Sequence, residues 1–94
     1  MYAYDDTMQV RNARDLGALI RGQRRARGWT QAELAQEVGA TRAWVIAIEH
    51  GKSTANLGLA LRALAALDLV ADVVPAPAAH GAVDLDALLG DAGG

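Results

Sequence analysis

Ninety-four residues, 52 % of them apolar, are enough for one small globular domain and leave no room for two. Cysteine is absent, which excludes a disulfide framework and a thiolate metal site, and no apolar run approaches the roughly 20 residues of a membrane-spanning helix. The net charge of −2 hides a division: all nine bases lie between Arg11 and Arg62 beside four acids, a local excess of +5, while Asp5 and Asp6 precede that block and five aspartates follow it.

A phosphate backbone senses local potential, so this asymmetry fits a polyanion-facing middle with flanks of another role. A solvated basic face is the alternative that charge alone leaves open. The opening MYAYDDTMQV carries two acids and no basic run, so no secretory signal is expected and residues 1–12 read as an N-terminal arm. The chain is expected in the cytoplasm, without a membrane partner. So small a core leaves stability marginal, and oligomerisation is the common reinforcement.

Leu16, Leu19 and Ile20 repeat at i, i+3 and i+4 and predict a helix from about Ala13 to Arg27, ended by Gly28 as its C′ residue. Thr30-Gln31-Ala32-Glu33 then forms a capping box, in which the hydroxyl and the carboxylate each satisfy a free backbone N–H. Leu34, Ala35 and Val38 are the inward face of this second helix, and Gly39 ends it. Thr41 caps a third helix with apolar spacing Val45 and Ile48, stopped by Gly51.

After a polar loop from Lys52 to Ala55, a fourth helix reads Leu57, Ala60, Leu61, Leu64 and Leu67 along its inward stripe. Leu59 sits off that stripe, either as a lone exposed leucine or as part of a subunit contact. Leu69, Val70, Ala71, Val73 and Val74 form a short β-branched run closed by Pro75 and predict a strand over 69–75. The fold offers it no second strand, so pairing with the same strand of another copy is the simplest way to satisfy its backbone. An extended tail, or one more turn of the fourth helix, is the alternative. The remainder, 76–94, reads as a flexible tail: a Pro/Ala/Gly linker to about residue 82, then Asp84, Leu85, Leu88 and Leu89 in a patch too short to hold a helix alone. That patch either stays disordered or folds onto a partner's groove.

Two short helices around a glycine turn, supported by helices before and after, form the arrangement that places one helix in a DNA major groove. The residues Arg21, Arg24, Gly28-Trp29-Thr30-Gln31, Glu33-Leu34-Ala35, Val38-Gly39, Val45, Ile48-Glu49 and Gly51 closely resemble the Xre/Cro helix-turn-helix family of phage repressors, over about residues 14–69. Within that family the chain is most similar to HipB-type antitoxins, in the Gly28–Gln31 turn and in a terminal strand directly after the fourth helix. The resemblance implies an all-α, lambda-repressor-like helix-turn-helix bundle of four to five helices over 13–68, with the short C-terminal strand pairing across a homodimer. It further implies a sequence-specific repressor of its own operon that binds double-stranded operator DNA and restrains a HipA-like Ser/Thr kinase toxin. A stand-alone Xre-family regulator without a toxin is the alternative.

Carried over by position, Arg24 and Glu49 look like the family's paired charges linking the first helix to the end of the third, a structural role; two separate surface charges are the plainer reading. Gln31, in the first turn of the second helix, can donate to a phosphate together with the free N–H groups there; Thr30, His50, Lys52 and Thr54 occupy positions that contact phosphate in related repressors, although an exposed His50 without a role fits equally well, and none is assigned to His80. Thr41, Arg42, Ala43, Ile46 and Ala47 are expected on the groove-facing side of the third helix. Arg42 matches O6 and N7 of guanine, while the alanines and Ile46 offer only apolar contact to thymine methyls. The family often has Gln, Ser or Asn at these places, so the departure lets specificity be weak, or borrowed from DNA shape. At Trp44 a large ring replaces a small polar residue; it either packs onto the second helix, the favoured reading, or sets its N–H against the sugar-phosphate edge.

Two distant histidines, no cysteine, no Ser-His-Asp set and no glycine-rich phosphate loop leave nothing with catalytic spacing, so neither an enzyme, a cofactor nor a metal is expected. A partner-binding module that has given up DNA is the remaining competitor, which the apolar groove-facing residues make conceivable.

Overall fold

A computed structural model describes residues 8–76, so expectations for residues 1–7 and 77–94, including the linker beyond Ala76, His80 and the leucine patch, lie outside the described residues. Four helices follow in order: α1 (Ala13–Ala26), α2 (Gln31–Val38), α3 (Arg42–Glu49) and α4 (Leu57–Ala66).

Each helix begins on a side-chain cap. Asn12 accepts from the Asp15 N–H at 2.8 Å, and Asp15 accepts from the Arg11 N–H at 3.0 Å. Thr30 and Glu33 close the expected capping box on α2, while Thr41 caps α3 and Asn56 caps α4. Such caps satisfy N–H groups that have no partner within their own helix.

The four ends repeat one motif. In each, a single residue separates the last helical turn from an N–H that returns to a carbonyl five residues back: Trp29 to Arg24, Ala40 to Ala35, Lys52 to Ala47 and Leu69 to Leu64. The residue between must take a left-handed conformation. Gly28 (φ 73°), Gly39 (φ 79°) and Gly51 (φ 84°) do so without strain, and Asp68 (φ 59°) does so as a non-glycine.

Ile20, Leu34, Ala35, Val38, Val45, Ile48, Ala60, Ala63, Leu64 and Leu67 make the core. α3 packs on α1 and α2, and α4 packs on α2. Gly17 sets the first of these contacts, because a Cβ there would run into the Ile48 carbonyl oxygen.

The expected inward stripe of α4 holds at Ala60, Leu64 and Leu67, which are buried, but the helix is turned by about half a residue from the expected phase. Leu57 and Leu61, expected inside, are 70 % and 49 % exposed, whereas Leu59, expected off the stripe, packs against the core and Ala63 is fully buried. The helix is apolar nearly all round, so periodicity leaves its phase open, and the small Ala60 and Ala63 allow close packing. Among the described residues no strand forms. Leu69 packs against the core and its N–H closes α4, while Val70, Val73 and Val74 are 88, 97 and 65 % exposed.

Gly22 lies on the same helix as Gly17 with open space where its Cβ would stand. Gly22→Ala is expected to raise stability by about 0.5–1 kcal/mol through helix propensity. Gly17→Ala should lower it by roughly 1–3 kcal/mol through overpacking. Urea midpoints check both, and equal gains at the two sites would contradict the close α1–α3 approach.

Candidate nucleic-acid interface

α2 and α3 are joined through Gly39-Ala40-Thr41, and the orientation of α3 is fixed at its far end. There Glu49, the last residue of α3, meets Arg24 near the end of α1. Arg24 Nε donates to Glu49 Oε2 at 2.7 Å and Nη2 donates to Oε1 at 3.0 Å, with the two side chains 9 % and 2 % exposed. The third guanidinium nitrogen, Nη1, donates to the Trp29 carbonyl at 2.8 Å. The hydrogen bond to Glu49 raises the Arg24 pKa, burial opposes it, and the carboxylate's charge adds to the rise. A carboxylate at a helix C-terminus is disfavoured by the helix dipole, so the fork offsets both that and the desolvation.

Gln31, the first residue of α2, joins this network: its Nε2 donates to Glu49 Oε1 at 3.2 Å. Sequence reasoning placed Gln31 at a phosphate and missed this internal partner. One amide N–H is then committed, and the other remains a donor at the helix start. Three segments therefore meet on Glu49: the end of α1, the turn through Trp29 into α2, and the end of α3.

On α3, Ala43, Ile46, Ala47 and His50 share the arc opposite Val45 and Ile48 by helical spacing, and Arg42 stands at its edge, one turn before Ile46. Arg42, Ala43 and His50 are exposed, and Ile46 and Ala47 are half-buried. Arg42 has no ion pair or side-chain hydrogen bond among the described residues. The Thr30 and Thr41 oxygens accept from the N–H groups of Glu33 and Trp44, at 3.1 and 3.0 Å, which leaves each hydroxyl free to donate outward. Lys52 and Thr54 are exposed in the loop after α3.

Trp44 is half-buried and packs against the core, and its indole N–H is buried without a partner among the described residues. The ring is thus seated against the core and its donor is unused among the described residues. Also unanticipated is Arg62, whose Nη1 donates to the Val38 carbonyl at 3.2 Å and satisfies the end of α2. Its charge within an otherwise apolar helix was the available signal. Among the described residues no group of side chains could hold a metal ion, and no helix is long and apolar enough to cross a membrane.

Comparison with known proteins fits this geometry. A family model described as a helix-turn-helix domain matches residues 15–76. An uncharacterized HTH-type transcriptional regulator of Methanothermobacter thermautotrophicus is 49 % identical over 49 residues, which cover 52 % of this chain and 71 % of that protein. Among solved structures, a HipB–O4 20mer complex matches with a TM-score of 0.70 at 24 % identity, covering 76 % of this chain and all of that one. A HipB variant with an O2 20mer gives 0.71 at 25 % identity and 77 % of this chain, and a HipA–HipB–O2–O3 complex gives 0.70 at 22 % and 76 %. The resemblance to Xre/Cro-type proteins read from residues 21–51 is borne out by these matches.

Removing one partner of the buried pair leaves a charge in the interior. Arg24→Ala is expected to lower stability by about 3–5 kcal/mol, and joining it to Glu49→Leu should recover part of that loss. Denaturation of the wild-type chain and the two variants checks this. A loss of only about 1 kcal/mol for Arg24→Ala, the level of an exposed pair, would contradict the buried role.

Proposed function

The chain belongs to the helix-turn-helix domain family as a DNA-binding transcription regulator, and from that premise we propose that it is a homodimeric operator repressor that controls its own operon and acts as antitoxin to a HipA-like Ser/Thr kinase. The observation that carries the DNA-binding part is the outward arc of α3, bearing an uncommitted Arg42 and held at its other end by the Arg24–Glu49 pair. In this reading α3 lies in the major groove. The Arg42 fork addresses guanine, while Ala43, Ile46 and Ala47 contact thymine methyls. The Thr30 and Thr41 hydroxyls, the free Gln31 N–H, His50 and Lys52 take phosphate oxygens and set the register. Trp44 supports α3 from behind.

Dimer formation is supported by what the monomer leaves uncovered. Val70, Val73 and Val74, and on α4 Leu57 and Leu61, are large apolar side chains left exposed, the kind of surface that an interface covers. Pairing of residues 69–75 across a two-fold axis would cover part of it and supply partners for the backbone. The two α3 helices would then meet half-sites about one helical turn apart. The antitoxin role draws on the fold shared with HipB over the whole of its solved chain, including HipB solved together with HipA. The cytoplasmic location follows from these roles.

The alternative, a regulator with no toxin, draws on the 49 % identity to a protein described only as an HTH-type transcriptional regulator. Purification from native cells separates the two: a copurifying kinase supports the antitoxin role, and its absence favours the stand-alone one.

Arg42→Ala is expected to cost about 1–3 kcal/mol of discrimination between a selected duplex and a scrambled one, with little change on the scrambled duplex. Equal losses on both, read by fluorescence anisotropy, would refute base readout by Arg42. Removing residues 70–94 should yield a folded monomer by light scattering, because Leu69 still closes α4. A truncated chain that stays dimeric would reject the strand as the dimer element.

A further inference from the structure

Besides the residues assigned above, α1 carries a row of basic side chains with no partner among the described residues. Arg14, Arg21 and Arg25 are exposed and stand seven and eleven positions apart, close to two and three whole helical turns, so they fall on one line about 16 Å long. The other nearby guanidiniums are committed, Arg24 to Glu49 and Arg27 to Asp68. The acid of α1, Asp15, accepts from the Arg11 backbone. Arg14, Arg21 and Arg25 have no ion pair or side-chain hydrogen bond among the described residues. Between them stand only Ala18 and Gly22, and the space at Gly22 is open. Arg21 and Arg25 are four residues apart, where like charges repel, so the free helix bears a strain that a polyanion would relieve.

The position of the row decides which polyanion. Its first member touches the turn after α3, since a Cβ on Gly51 would lie 2.9 Å from Arg14 Cα, and that turn leads directly to Lys52. At its other end, the Gly28 N–H bonds the Arg25 carbonyl at 2.9 Å and the chain continues into Thr30 and Gln31. The row therefore connects the two segments assigned to phosphate contact in the reading above.

We propose that the Arg14–Arg21–Arg25 row of α1 is an accessory track for the sugar-phosphate backbone of the same DNA duplex whose bases α3 reads. The inference rests on the DNA-binding reading and extends the contact surface beyond α2, α3 and their loops. The row adds affinity without adding sequence preference, because guanidiniums on phosphates carry no base information.

The test compares the full-length wild-type chain, a triple variant (Arg14→Gln, Arg21→Gln, Arg25→Gln) and Arg42→Ala. Each is titrated onto selected and random-sequence duplexes of about 40 base pairs, from roughly 50 to 200 mM KCl. Glutamine keeps helix propensity, and circular dichroism confirms that the variants fold. The triple variant is expected to flatten the slope of log Kd against log salt by about 2 to 3 for each protomer on the duplex, about 0.9 per lost phosphate contact. It should weaken both duplexes by the same factor. An unchanged slope in the triple variant, with discrimination lost in Arg42→Ala, overturns the track and leaves the α3 reading intact. Flattening in the triple variant with no effect of Arg42→Ala keeps the track and refutes base readout by Arg42. A wild-type chain that binds no duplex overturns both. A second duplex bound per dimer and lost in the triple variant, or unchanged duplex binding with loss of a copurifying acidic protein, assigns the row to another partner and overturns the proposal.

Discussion

The structure depends on one buried carboxylate. Glu49 sits where the dipole of α3 disfavours negative charge and where water has been removed, so it is stable only because Arg24 meets it with two nitrogens and Gln31 adds a third donor. Those donors come from the end of α1 and the start of α2. Satisfying Glu49 therefore brings three helix ends to one point and fixes the angle at which α3 leaves the body. A hydrophobic contact between such short helices tolerates sliding; a bidentate pair does not. The core is small, and it gains from this pair a definite geometry more than it gains stability.

Glycine makes the approach possible. Gly17 lets the α1 backbone close on the carbonyls of Ile48 and Glu49, and Gly51 lets the turn after α3 press on Arg14. The same closeness brings the basic side of α1 next to the loop that holds Lys52. Packing, electrostatics and the proposed contact with DNA thus meet at one junction. Of the other acids, Asp15 is taken up by the start of α1, Glu33 and Glu37 are exposed on α2, and most of the aspartates fall in the flanks.

Local rules made much of this legible. Thr30 with Glu33, Thr41, and the glycines at 28, 39 and 51 mark their helix ends by backbone chemistry that needs no tertiary context, and the helices begin and stop there. Arg24 with Glu49 came from family resemblance, since no spacing rule joins residues 25 apart. What stayed hidden depended on context. The phase of α4 was undetermined because Leu57, Leu59 and Leu61 are equally apolar, and only the fit of Ala60 and Ala63 selects the inward side. Asp68 was visible as a charge but not as a left-handed helix end, a place where glycine is the usual signal. Gln31 showed its position and not its partner. Gly17, inside a helix on the side facing α3, was a sign of close approach that the apolar periodicity obscured.

The central claim is that α3, fixed by the Glu49 junction, enters the major groove of duplex DNA twice from a two-fold assembly. Methylation interference on a duplex selected from a random pool tests it most directly. The account predicts that N7-methylated guanines block binding in two clusters about one helical turn apart, on the groove face that an arginine fork reads. Binding indifferent to N7 methylation, or interference confined to a single cluster, would contradict it.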